Sequence, residues 1–285
     1  MLKNNLKFAF FGTPEIAAKT LEILKENGFL PSLIITAPDR PQGRKMIVTP
    51  PPVKIWAEEN FIDTMQPEKI GGERSDLFEF LRSDLKEPID LFIVVAYGQI
   101  FPEWLINNPK YGTLNIHYSL LPKYRGASPV QSAILNGDTE TGVTIQKMVK
   151  KLDAGPIIAQ KEVAIGPTET TPELLNKLVQ IGSELLVQTL PNYVENKIKL
   201  TEQDENAATH CQKIAKEDGE IDPTGDAIKN YNKFRAYYEW PRTFFFKDNK
   251  RIIITDAELK DGEFIIKKVI PEGGKEMLFS ASQTL

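Results

Sequence analysis

Two short, uninterrupted apolar runs set the frame for this chain. Residues 6–11 close on Gly12, and Leu91–Val95 ends at Ala96. A strand that is apolar at every position is buried on both faces, as in a parallel sheet covered by helices. The intervening sequence agrees. Thr13-Pro14-Glu15 reads as a helix start, with Thr13 as the cap and Pro14 where its missing N–H costs nothing. Ile16, Thr20, Leu21 and Leu24 follow at helical spacing and stop near Asn27-Gly28. Residues 33–36 form a second strand, and 54–59 and 76–85 read as further helices. This alternation predicts an α/β fold with a mainly parallel, doubly wound sheet.

Further along, 113–118, 141–148 and 157–163 are shorter strand candidates, and 172–194 is a long helix striped by Leu174, Leu175, Leu178, Ile181, Leu185 and Leu186. A polar stretch at 202–208 reads as a linker. Beyond it, short strands at 243–246, 251–255 and 263–269 are separated by Asp248-Asn249 and Asp261-Gly262 turns. The expected organisation is a first unit over 1–195, a linker over 196–207, and a smaller β-barrel-like (OB-like) unit over 208–285.

Composition excludes several classes of function. The 35 Lys+Arg and 39 Asp+Glu leave a net charge of −4, so no bulk basic field marks the chain as a nucleic-acid binder. Cys211 is the single cysteine and there are two histidines, which supplies neither an intramolecular disulfide nor a four-thiolate zinc site; no metal is expected. No apolar run reaches the length of a bilayer span, and the first residues lack the apolar core of a secretory signal. The expectation is a cytoplasmic monomer with no membrane association and no obligate protein partner. Gly12-Thr13-Pro14 is not the G-x-G-x-x-G dinucleotide fingerprint, and no G-x-x-x-x-G-K-[ST], H-E-x-x-H or G-x-S-x-G occurs.

What remains is the segment 111–131, YGTLNIHYSLLPKYRGASPVQ. Asn115 and His117 are two apart on an apparent strand and leave it on one face. Lys123, Arg125 and Gly126 make a basic turn, and Asp153 lies in a loop between two strands. An amide donor, an imidazole and a carboxylate form an acyl-transfer set: oxyanion stabiliser, proton carrier, and charge partner of the imidazolium. On the residues alone a second reading stands beside it, in which His117 and Asn115 satisfy a strand end and Asp153 starts a turn. Spacing does not show that the three meet.

Asn115-Ile116-His117, the run Ser119-Leu120-Leu121-Pro122-Lys123-Tyr124-Arg125-Gly126, and Leu152-Asp153-Ala154-Gly155-Pro156-Ile157 resemble the signature of the 10-formyltetrahydrofolate-dependent formyltransferases. Phe11-Gly12-Thr13-Pro14-Glu15 and Val95-Ala96-Tyr97-Gly98 match in the expected order. The resemblance implies the formyltransferase fold, a Rossmann-like sheet followed by a smaller β-barrel, with the first unit catalytic. It implies 10-formyltetrahydrofolate as formyl donor. Asn115 would donate to the formyl oxygen, His117 would move the proton, and Asp153 would hold and charge-stabilise His117. Ser119, Leu120, Leu121 and Pro122, together with Ala96, Tyr97, Gly98 and Gln99, would line the folate site.

The loop Pro38-Asp39-Arg40-Pro41-Gln42-Gly43-Arg44-Lys45 and the stretch from Lys213 to Asp222 are similar to the family members that act on tRNA. The implied acceptor is the α-amine of initiator methionyl-tRNA, read by Arg40, Arg44 and Lys45; a nucleotide-linked amino sugar is the alternative acceptor. The residues from Ala207 onward carry 13 Lys+Arg and 13 Asp+Glu, a neutral balance where the resemblance would imply a basic, somewhat longer domain.

Overall fold

The computed structural model describes residues 6–43, 45–71, 76–81 and 87–279. In chain order the first unit contains β1 (Phe8–Gly12), α1 (Glu15–Glu26), β2 (Leu33–Ile35), β3 (Arg40–Gln42), β4 (Ile47–Thr49), α2 (Pro52–Glu59) and β5 (Thr64–Met65). It continues through α3 (Asp76–Glu79), β6 (Leu91–Val95), α4 (Glu103–Ile106), β7 (Thr113–His117), β8 (Arg125–Gly126) and α5 (Pro129–Leu135). Then come β9 (Glu140–Lys147), β10 (Ile157–Ala164) and α6 (Thr171–Val194). The remainder holds β11 (His210–Cys211), α7 (Ala227–Ala236), β12 (Phe244–Lys247), β13 (Lys250–Lys260), β14 (Glu263–Pro271) and β15 (Met277–Leu278).

The apolar runs become the centre of a sheet ordered β10-β9-β7-β6-β1-β2-β5. The pairs β1–β2, β1–β6, β2–β5 and β6–β7 are parallel, whereas β7–β9 and β9–β10 are antiparallel. Period-2 alternation sends Phe8, Phe10, Leu91, Ile93, Leu114 and Ile116 to one face, against Leu21 and Leu24 of α1 and Leu178 and Leu186 of α6. Ala9, Phe11, Phe92 and Val94 face the other way, with Leu77 and Leu105 over them. The chain leaves β1 for β2 on one side and returns as β6 on the other. Such a reversal of strand order opens a crevice at the carboxyl ends of the strands.

Helix starts depart from expectation at one point. Thr13 does not cap α1: Pro14 takes the cap position, and the buried Thr13 hydroxyl has no hydrogen-bond partner among the described residues. At α6 the capping box is complete, with Thr170 and Glu173 exchanging bonds. Of the helix expected over 76–85, residues 82–85 lie outside the described ones.

The expected C-terminal β unit is a four-stranded antiparallel sheet, β12-β13-β14-β15, with Tyr231 and Phe234 of α7 packed on Phe245, Ile254 and Val269. Ala236 and Tyr237 join the core of the first unit instead. The polar stretch read as a linker is also bound to that unit. Thr201 exchanges two backbone hydrogen bonds with Ile157, of 2.8 and 3.0 Å, and β11 pairs in parallel with β8.

Phe92 is fully buried in the central strand and meets Phe11 edge-on at 5.1 Å. Phe92→Ala is expected to cost about 3–5 kcal/mol of folding stability, read from urea unfolding midpoints at constant slope.

Candidate active site

On β7 the face that continues Phe92 and Val94 turns polar. The register Phe92↔Thr113 and Val94↔Asn115 puts Thr113, Asn115 and His117 on it. Antiparallel β9 adds two more polar groups, because Asn115 stands opposite Gln146 and His117 opposite Thr144. Directly opposed residues share a face. The turn after β7 and the loop 148–156 between β9 and β10 fold over this face.

His117 is 6% exposed. Its Nε2–H donates to the Tyr124 carbonyl at 2.9 Å, which leaves Nδ1 toward Asp153 Oδ2 at 3.7 Å. The Asp153 carboxylate is held from two other sides: Oδ2 accepts from the Gly126 N–H and Oδ1 from Gln146 Nε2, each at 2.9 Å. With its Nε2 hydrogen committed to a carbonyl, the ring has Nδ1 left as the nitrogen that can exchange a proton, beside the Asp153 carboxylate. Two glycines make this approach possible. Gly126 has φ +124°, and a Cβ there would lie 2.1 Å from the Cys211 carbonyl oxygen. A Cβ on Gly155 would lie 1.8 Å from that of Lys147.

These groups open on a cavity of about 560 Å³. Ala96, Tyr97, Gly98 and Gln99 line one part of its wall, and Asn115, His117 and Asp153 also line it. Ala96 at φ +48° and Gly98 at φ +84° curl the loop after β6 around the cavity. The Tyr97 hydroxyl is buried with no hydrogen-bond partner among the described residues, and burial pushes its pKa up. Gln99 Oε1 accepts from the Ile70 N–H at 3.1 Å, tying this wall to the neighbouring segment. Among the described residues none hydrogen-bonds to the Asn115 carboxamide, which is free to bind a ligand oxygen.

Ser119, Leu120, Leu121 and Pro122 lie outside this lining. The chain turns away from the cavity directly after β7 because other groups receive it. Thr144 Oγ1 donates to the Ser119 carbonyl at 2.6 Å and accepts from the Leu121 N–H at 3.1 Å. Gln160 donates to the Leu121 carbonyl at 2.8 Å, and the Ser119 hydroxyl to the Lys123 carbonyl at 2.6 Å. The turn therefore stands behind His117 and presents the Tyr124 carbonyl to it. Arg40 and Lys45 sit away from the cavity on the exposed β3–β4 hairpin, with Arg40 ion-paired to Glu68. Arg44 lies outside the described residues.

Three residues, Gln146, Gln203 and Glu205, escaped the sequence reading, and Arg125, read there as part of a basic turn, is buried. Gln146 had a signal: Val143 and Ile145 alternate with Thr144 and Gln146, so the second pair belongs to the opposite face. Arg125 is 1% exposed; its Nε and Nη2 donate to Gln203 Oε1 at 3.0 and 2.8 Å, and its Nη1 lies 3.0 Å from Glu205 Oε1. Glu205 also meets Lys151 at 2.6 Å. Hydrogen bonds from Arg125 first, and Lys151 next, hold the Glu205 carboxyl down at about 2. Gln203 and Glu205 belong to the polar stretch, whose composition resembles any solvated connection. Among the described residues no three His, Cys, Asp or Glu side chains gather as a metal site, and no helix is long and apolar enough to cross a membrane.

Residues 6–190 match the family model described as formyl transferase, and residues 213–278 match the one described as formyl transferase, C-terminal domain. The methionyl-tRNA formyltransferase of Halalkalibacterium halodurans is 41% identical over 255 residues, covering 89% of this chain and 78% of the relative. That of Thermotoga maritima is 44% identical over 247 residues, covering 87% and 77%. The Listeria monocytogenes enzyme of the same name is 39% identical over 278 residues, covering 98% and 85%. Among solved structures, the methionyl-tRNA formyltransferase of Clostridium thermocellum superposes with a TM-score of 0.59 at 20% identity, covering 96% of this chain and all of the other. An N-formyltransferase from Helicobacter canadensis, in complex with folinic acid and dTDP-3-aminofucose, superposes at 0.67 with 21% identity, covering 90% and 88%. At such identities these structures share the fold.

Gly126→Ala is expected to destabilise the protein by about 1–3 kcal/mol, because the Cβ meets backbone rather than a movable side chain. Urea unfolding measures this. The Glu205 carboxyl lies below its usual 4.5 in the folded state, so its contribution is complete above that pH and is lost as pH falls toward about 2. Glu205→Gln should lower the melting temperature at pH 7, and the gap to wild type should close as thermal melts are repeated toward pH 2.

Proposed function

This chain belongs to the formyl transferase family, and on that premise we propose that it transfers the formyl group of 10-formyltetrahydrofolate to the α-amine of initiator methionyl-tRNA. The observation that carries the reading is the His117–Asp153 pair, Nδ1 to Oδ2 at 3.7 Å, beside the uncommitted Asn115 carboxamide on the wall of one cavity. The choice of acceptor is supported by relatives 39–44% identical over most of the chain, each named for methionyl-tRNA.

The donor supplies a carbonyl carbon at the oxidation level of formate. Its flat heterocycle suits the wall at 96–99, where curled backbone offers N–H and C=O groups and the exposed Ile100 and Leu152 give apolar surface at the mouth. As the neutral amine attacks the formyl carbon, Asn115 donates to the oxygen on which negative charge grows. His117 Nδ1 takes the proton that the attacking nitrogen sheds. Asp153 stabilises the resulting imidazolium, and His117 returns the proton to the departing folate nitrogen. One N–C bond forms and one breaks, and the amine hydrogen ends on the folate.

The tRNA end of the reaction is assigned to the β3–β4 hairpin. Met46, Ile47 and Val48 are exposed there, with Arg40 and Lys45, and with Arg44 outside the described residues. Arg40 must exchange Glu68 for a phosphate or base to serve in this way.

Purified protein supplied with 10-formyltetrahydrofolate should place the formyl group on methionyl-tRNA and not on nucleotide-linked amino sugars; the reverse preference refutes the acceptor assignment. Asn115→Ala should lose about 10²–10³ in kcat, equivalent to about 3–4 kcal/mol of barrier. His117→Ala and Asp153→Ala should remove most turnover while circular dichroism stays native, and near-normal formylation by either would refute the mechanism.

A further inference from the structure

The segment that joins the two units is built into the catalytic loops through one side chain. Gln203 uses its whole carboxamide in four hydrogen bonds. Its Oε1 accepts from Arg125 Nε and Nη2, at 3.0 and 2.8 Å, and its Nε2 donates to the carbonyls of Asp153 and Gly155, at 2.9 and 2.7 Å. It thereby ties together two loops that hold the proton-transfer pair between them. The Tyr124–Gly126 loop gives its carbonyl to His117 Nε2 and its Gly126 N–H to Asp153. The other loop carries the Asp153 carboxylate on a backbone at φ +48°.

Glu205 supports the same junction. Arg125 is buried and charged, and each of its three guanidinium nitrogens has an acceptor. Both of its partners come from the joining segment: Gln203, and Glu205, which also takes Lys151 from the Asp153 loop. The segment itself is pinned at both ends, by the Thr201–Ile157 bridge and by β11 on β8. A rigid strap therefore fixes the height of the Asp153 carbonyl above the sheet, and with it the direction in which the carboxylate points.

We infer that Gln203 is a positioning residue for formyl transfer: by joining Arg125 to the Asp153 and Gly155 carbonyls it sets the distance between Asp153 and His117. The inference rests on the functional reading above. A displacement of about 1 Å in such a pair costs on the order of 10²-fold in rate, whereas substrate binding depends on the residues that line the cavity, of which Gln203 is not one.

Two variants separate positioning from mere packing. Gln203→Leu removes all four bonds at similar volume. Gln203→Glu keeps the acceptor for Arg125 and sets a carboxylate oxygen against the two carbonyls. In steady-state formylation of methionyl-tRNA, both should lose kcat by at least about tenfold, with KM for either substrate moving less than about threefold. Gln203→Glu should do so while retaining a near-wild-type melting temperature. In an Asp153→Ala background Gln203→Leu should cost less than about twofold more, since the group it positions is gone. Equal losses in both backgrounds, or an undiminished kcat in Gln203→Glu, overturn the inference while wild-type turnover leaves the functional reading intact. A wild-type protein that formylates no acceptor overturns that reading, and this inference with it.

Discussion

A carboxylate that is nearly out of water must find partners for its oxygens, and Asp153 meets that demand in a way that organises the site around it. Its side chain is 12% exposed, and an uncompensated charge at such depth costs several kcal/mol. The Gly126 N–H and the Gln146 amide occupy two directions, and the third is left toward His117 Nδ1. Each partner imposes its own condition. Gly126 must be glycine because its Cα passes the Cys211 carbonyl. Gln146 must stand opposite Asn115, which fixes the register of β9 on β7.

The sheet supplies that register where it stops being parallel. From β5 to β7 the strands run together and helices bury both faces; beyond β7 the direction reverses. Between β7 and β9 the chain passes through β8 and α5 and returns antiparallel. The antiparallel hairpin of β9 and β10 then leaves a nine-residue loop, 148–156, that doubles back over the polar face. Asn115 and His117 therefore project from a rigid strand, while their charge partner arrives on a loop that other groups must hold still.

That division explains what the chain made legible. The buried strands announce themselves as apolar runs, because burial on both faces is a local property of composition. The i, i+2 relation of Asn115 and His117 is visible for the same reason: one strand carries both. Asp153 joins them through space, and only likeness to a family connected it to the pair before the structure did. Ser119 to Pro122 follow His117 directly, yet Thr144 and Gln160, from two other strands, draw them behind the site. Thr13 has the composition of a cap and lacks the geometry of one. Gln203 is the extreme case. It sits among polar residues with no periodicity, and its place is fixed by four hydrogen bonds to three residues that lie 48 to 78 positions away.

The same distinction bears on charge. Composition assigns 35 cationic side chains, but several are internal reagents of the fold. Arg125 is enclosed with Gln203 and Glu205, and Arg235 gives its Nη1 hydrogens to the carbonyls of Gly166 and Glu169 where the two units meet. Lys54 is committed to Asp39, and Arg40 to Glu68. Arg125 and Arg235 cannot turn outward without leaving a buried charge or unpaired carbonyls behind. The pairs on the hairpin and its base are different, because exposed ion pairs exchange partners at small cost. For the proposed acceptor, the hairpin of β3 and β4 offers exposed cations on an arm that projects apolar residues beside them. On that proposal a near-neutral chain would bind a polyanion by placement rather than by net charge, with phosphates taking the place of Glu68 on Arg40.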